Sequence, residues 1–190
     1  MIELWIPITI LAAFSQNLRS ALQKHLKSRL STAGATYVRF FYAIPFALLY
    51  LVILNQVFEL PLPQPNANFI GFGIIGGATQ IIATALLVYL FSFRNFAVGT
   101  AYSKTETAQT AVFGLIILGD PLTPGAIIGI MISLVGVMAI STARQEGGLK
   151  NILQSLFQKT ALIGLASGAM FGISAISYRA ASLSLGGDGV

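Results

Sequence analysis

Residues Ala97–Leu118 read AVGTAYSKTETAQTAVFGLIIL. Such a stretch is long enough to cross a bilayer core of ~30 Å as a helix. Yet Lys104 and Glu106 sit near its middle, among Thr100, Tyr102, Ser103, Thr105, Thr107, Gln109 and Thr110. An ionisable side chain at bilayer depth costs ~2.5–3.5 kcal/mol even on the lenient insertion scale. It is retained where it faces a bundle interior or a wet cavity, which marks this span as the functional one. At 1.5 Å per residue, Glu106 lies ~15 Å along it, near the midplane. Lys104 and Glu106 are two residues apart and point to roughly opposite faces, so each needs a partner on another helix.

The rest of the chain has the same solvent preference. Of its 190 residues, 55% are hydrophobic and only 9% charged, and the mean hydropathy is +0.80. A water-facing domain carries about 25% charged residues, so the composition is that of a polytopic membrane protein. Cysteine is absent, which excludes disulfides and thiolate metal sites. A single histidine, His25, excludes a multi-histidine metal centre, and no cofactor motif is present. The net charge of +5 is dispersed between apolar spans with no interleaved aromatic patch. It reads as cytoplasmic loops rather than a nucleic-acid surface.

Taken in order, the sequence predicts an all-α bundle of six spans. The first covers about 4–23 and carries Gln16, Asn17 and Arg19. The second, about 33–55, opens with Tyr37 and Arg39 and holds Pro45, which removes a backbone bond and kinks the helix. Pro61, Pro63 and Pro65 favour an extended connector. The third span, about 69–93, contains Gln80 and a GxxxG pair, Gly73 and Gly77. The fourth ends at Gly119-Asp120-Pro121-Leu122-Thr123-Pro124, a sharp reversal. The fifth, about 125–143, carries Gly125 and Gly129. The sixth, about 161–182, carries Gly164, Gly168 and Gly172. These glycines read as close-packing devices between helices. Leu149, Ile152, Leu153, Leu156 and Phe157 recur at helical spacing, so about 145–159 reads as an interfacial amphipathic helix.

Lys24, Lys27, Arg29, Arg94, Arg144, Lys150 and Lys159 all fall on alternate connections, and the other connections hold no lysine or arginine. The positive-inside rule then places the N-terminus outside. Leu11-Ala12 and Ser20-Ala21 recur at one offset as Leu165-Ala166 and Ser174-Ala175. An odd, five-span unit repeated in this way would be inverted in its second copy, the plan of many secondary transporters.

At Gly119-Asp120-Pro121-Leu122-Thr123 the chain resembles the EamA branch of the drug/metabolite transporter superfamily, whose turn reads Leu-Gly-Glu-x-Leu-Thr. Gly129 and Gly136 in the span that follows, and the short turn Arg94-Asn95-Phe96-Ala97, fit the same pattern. Asp120 stands where glutamate is usual, and Ser103–Thr107 lacks the proline that many members carry. The resemblance implies a ten-span fold with an inside N-terminus. On that pattern residues 1–144 form one five-helix repeat, 145–159 a linker helix, and 160–190 the start of a second repeat. The chain is then a fragment, to be completed by further C-terminal helices or a homodimer.

The expected function is a secondary transporter of the inner (plasma) membrane, not an enzyme. It would move small metabolites or drug-like compounds by alternating access, with proton and substrate competing for the Glu106 carboxylate. Glu106, Lys104, Tyr102, Gln109, Gln80, Asn17 and Arg39 are the expected pathway residues, with Gln16, Arg19 and Tyr37 as further lining candidates. The alternative is a non-transporting membrane scaffold in which Lys104 and Glu106 are fixed structural charges.

Overall fold

A computed structural model describes residues 5–93, 96–143 and 158–185. Its described residues form helices without strands. These are α1 (Trp5–Lys27), α2 (Thr32–Phe41), α3 (Ile44–Gln56), α4 (Ala67–Leu90), α5 (Phe96–Ser103), α6 (Glu106–Phe113), α7 (Pro124–Ala143) and α8 (Lys159–Ser184). The amphipathic segment expected at 145–159 lies almost wholly outside the described residues.

Among the described residues, three helical stretches are long and apolar enough to cross a membrane: 32–56, 67–90 and 159–184. The first is interrupted at Tyr42-Ala43, where Pro45 stands in the first turn of α3 and cannot donate to the preceding turn. The second is capped by Asn66, whose Oδ1 accepts from Phe69 N at 2.8 Å.

The fourth apolar stretch is not the single helix its length suggests. α5 ends at Ser103 and α6 starts at Glu106. Between them the amides of Lys104 and Thr105 donate to carbonyls only three residues back, at 3.0 and 3.1 Å. The hydroxyls of Ser103 and Thr105 bond back to the carbonyls of Thr100 and Tyr102, at 2.8 and 2.7 Å. Side-chain hydroxyls that compete for helix carbonyls bend helices, so the polar composition that marks this span also breaks it. Beyond α6 a π-helical turn, Gly114–Leu118, ends at Gly119 with φ +70°. Glycine adopts that left-handed conformation without steric cost. Thr123 then caps α7, accepting from Ala126 N at 3.2 Å.

Helix α8 is the hub. It runs antiparallel to α4. Asn66 Nδ2 donates to the Ser184 carbonyl, Ser174 Oγ to the Gly76 carbonyl and Ser167 Oγ to the Ala83 carbonyl, at 2.6, 2.8 and 2.9 Å. It runs parallel to α5 and α6, with Gly164 against Gly99, Gly168 against Ser103, Gly172 against Thr110 and Gly114 against Ile176. The interior is small and polar: Ala83, Thr84, Ala161, Ser167 and Ser174 are fully buried. Apart from Val88 and Leu90, which are also fully buried, many large apolar side chains point out; Phe46, Ile116 and Ile132 are 73%, 74% and 67% exposed. That inversion of the water-soluble pattern is the packing expected in lipid, where close backbone approach and hydrogen bonds hold helices together.

The glycines divide accordingly. Gly164, Gly168 and Gly172 all face α5 or α6 at distances a side chain would violate. Gly76, rather than its expected neighbours Gly73 and Gly77, takes the close approach on α4, beneath the Tyr178 ring. No described atom lies within 4 Å of where a Cβ would sit on Gly73, Gly125 or Gly129.

Candidate functional site: a charged cavity at mid-depth

A cavity of about 530 Å³ opens between α1, α2, α4, α6 and α8. Helix α1 contributes Ser15, Gln16 and Arg19, α2 contributes Arg39, α4 Gln80 and α6 Glu106. Helix α8 closes the wall with Phe171, Ser174 and Tyr178. Gln80 and Ser174 both lie near the middle of their helices, so the cavity sits at mid-depth. It lies beside the break that starts α6 at Glu106.

The helices deliver these groups by simple spacing. Gln16 and Arg19 are one turn apart on α1. Arg39 reaches across from α2 and donates to Thr84 Oγ1 at 2.7 Å. Thr84 in turn donates to the Gln80 carbonyl at 2.8 Å. That chain fixes one guanidinium relative to α4. Arg19 interacts electrostatically with both Glu106 and Arg39. Its buried Nε has no hydrogen-bond partner among the described residues. Glu106 forms no ion pair within 4 Å among the described residues; the ion pair the structure holds joins Arg179 to Asp120. Three ionisable groups thus share one wall with a free interior between them.

The expected pathway residues separate in space. Glu106, Arg39 and Gln80 share the large cavity. Lys104 lines a different one of about 180 Å³, with Ser20, Lys24, Leu87, Phe91 and Thr100. Tyr102 is buried against Ala161 and Leu165. Gln109 is helix-to-helix glue, donating to Thr105 Oγ1 at 2.8 Å and towards the Leu165 carbonyl at 3.4 Å. Asn17 is exposed on α1. Tyr37 stacks on Phe41, with centroids 4.9 Å apart. On a continuous helix the spacing of Tyr102, Glu106 and Gln109 would put them on one face; the tight turn at Lys104-Thr105 resets the phase. Phe171, Ser174 and Tyr178 were not expected, because nothing in an apolar span with scattered hydroxyls distinguishes a cavity wall from a packed seam.

One more feature of the turn after α6 bears on identity. Asp120 forms a two-pronged pair with Arg179 of α8, one prong at 3.1 Å. Its amide donates to the Gly114 carbonyl at 3.2 Å. Each residue of Gly119-Asp120-Pro121-Leu122-Thr123 that carries the family likeness, apart from Pro121 and Leu122, therefore has a distinct local task. The family model for EamA-like transporters matches residues 3–142. No curated protein and no solved structure matches the chain. The chain belongs to the EamA-like transporter family, within the drug/metabolite transporter superfamily.

Proposed function

We propose that this membrane transporter works by alternating access on small polar metabolites or drug-like compounds, with Glu106 exchanging a proton during the cycle. The observation that carries the reading is the position of the Glu106 carboxylate. It lines an open cavity at mid-depth, next to a helix break, and makes no ion pair within 4 Å among the described residues. Broken helices beside a midplane site are how carriers place polar groups where lipid would otherwise forbid them.

In this reading 1–144 form the first five-span repeat and α8 opens an inverted second one. Support comes from direction: α1 ends near Phe91 and Thr100, the end of the bundle where α8 begins. Lys24 and Lys159 gather there, which favours that end as the cytoplasmic side of the inner membrane and an outside N-terminus.

The test uses proteoliposomes loaded with the pH dye pyranine and challenged with a panel of small metabolites. The parent protein is expected to couple solute entry or exit to proton movement. The Glu106→Gln variant, folded to the same helicity, is expected to lose that coupling. Unchanged proton movement in the variant would remove Glu106 from the mechanism.

A further inference from the structure

We propose that the mid-depth cavity takes a small organic anion, its acidic group held between Arg19 and Arg39, with Glu106 as the internal counter-ion that the occupant replaces. The inference rests on the carrier reading for its purpose but not for its geometry.

The charges on the wall do not balance. Arg19 and Arg39 bring two guanidiniums, and Glu106 is the one carboxylate among the lining residues. The remaining polar groups facing the space are neutral: Ser15 and Gln16 from α1, Gln80 from α4, and Ser174 and Tyr178 from α8. Lys104 lines the other cavity, yet its charge also acts on Glu106, so the local excess is positive on every side. Two like charges at this depth repel, and an uncompensated ion in a low-dielectric interior is costly. A monoanion in the cavity brings the wall to neutrality; a cation worsens it.

The donors are also arranged for an acceptor. Arg39 spends one nitrogen on Thr84 at 2.7 Å and lies over the Phe40 ring, 5.1 Å from its centroid, and its other N–H groups make no hydrogen bond among the described residues. Arg19 also lines the cavity, and its buried Nε has no hydrogen-bond partner among the described residues. Guanidinium forks match carboxylate, sulfonate and phosphate oxygens in pairs. The volume, about 530 Å³, lies within the range of small-molecule sites. Phe171 and the Tyr178 ring offer an apolar wall for the body of such a molecule.

This arrangement changes how Glu106 relates to the occupant. The sequence suggested competition of proton and substrate for one carboxylate. Here the carboxylate and the occupant's acidic group compete for the same two guanidiniums. Neutralising Glu106 therefore favours anion binding instead of opposing it.

The test is equilibrium binding by calorimetry to the purified protein in detergent. The probes are benzenesulfonate, uncharged benzenesulfonamide and cationic benzylammonium, followed by short carboxylates and their amides. An anion is expected to bind at least about tenfold tighter than its uncharged counterpart, the scale of one charge-assisted hydrogen bond. Arg39→Gln and, independently, Arg19→Gln are expected to weaken it by about tenfold or more, and Glu106→Gln to strengthen it. Arg39→Lys, which keeps the charge and loses the fork, should fall between. The inference is overturned by equal binding of anion and neutral partner, by tighter binding of benzylammonium, by weakening in Glu106→Gln, or by no anion of the panel binding. An anion that binds in detergent but is not moved in proteoliposomes refutes the carrier reading alone. Proton-coupled movement of a cation refutes this inference alone.

Discussion

Replacing Gly164 by alanine should separate α8 from α5, and the size of the effect follows from the seam. A Cβ at Gly164 would overlap the Gly99 carbonyl oxygen and stand 3.0 and 3.1 Å from Gly99 C and Cα. Carbon atoms rest at ~3.5–4.0 Å, so the helices must part by ~0.5–1 Å. The obstacle is helix backbone, which no rotamer change can move aside. A gap of that size forfeits about a quarter to a half of each dispersion contact along the seam. Overpacked cores of this kind lose ~1–3 kcal/mol. Glycine to alanine inside a helix also gains ~1 kcal/mol of propensity, so the control must share that gain. Gly129, in α7, has no described atom within 4 Å of its would-be Cβ. Unfolding both variants by SDS titration in mixed micelles, followed by circular dichroism, cancels the propensity gain. Gly164→Ala should be less stable than Gly129→Ala by ~1–3 kcal/mol. If the two agree within ~0.5 kcal/mol, the close approach of α5 and α8 is not what holds this bundle together.

Two further outcomes concern polar contacts. Ser174→Ala removes a buried donor to the Gly76 carbonyl, and the same unfolding titration should show a loss of ~0.6–1 kcal/mol, since the carbonyl keeps its helical partner. Asp120→Asn breaks the pair with Arg179, whose side chain is 55% exposed. Screening limits the loss to ~1 kcal/mol or less, and it should vanish when the titration is repeated at 1 M salt, where the Debye length is ~3 Å.

What could be read from the sequence was what composition and local chemistry control. The apolar stretches at 32–56, 67–90 and 159–184 follow from composition, and the interruption before Pro45 and the reversal at Gly119 each follow from one or two residues acting on their own backbone. The cavity was half legible. Glu106, Arg39 and Gln80 stood out because a charge or amide at bilayer depth needs a polar neighbour. Lys104 stood out equally, yet it lines the smaller cavity with Lys24. Lys104 and Glu106 stand two residues apart and point to roughly opposite faces of a helix, so one span serves two cavities. The signal for the turn at Lys104-Thr105 was present in the hydroxyls of Ser103 and Thr105. Their bonds to carbonyls three residues back need no tertiary contact to form. By contrast, the choice of Gly76 over Gly73 and Gly77 was not legible. It depends on where Tyr178 of a distant helix comes to rest, and spacing along α4 carries no record of that.

The break and the cavity also constrain each other. A continuous helix through Lys104-Thr105 would keep Glu106 in phase with Tyr102, which is buried against α8. The carboxylate would then face a seam of small residues with no cation. Breaking the helix costs backbone bonds, but it leaves Glu106 lining the cavity that Arg19 and Arg39 also line, with Tyr102 and Gln109 holding α5 and α6 on α8. Gly168 makes the arrangement sterically feasible, because α8 passes within 3.0 Å of the Ser103 carbonyl oxygen and 3.3 Å of Glu106 N, measured from its would-be Cβ. A side chain there would push α8 off the break itself. The polarity of the span, the bend and the glycine opposite it are therefore one device, and its product is a carboxylate in the same mid-depth cavity as two guanidiniums.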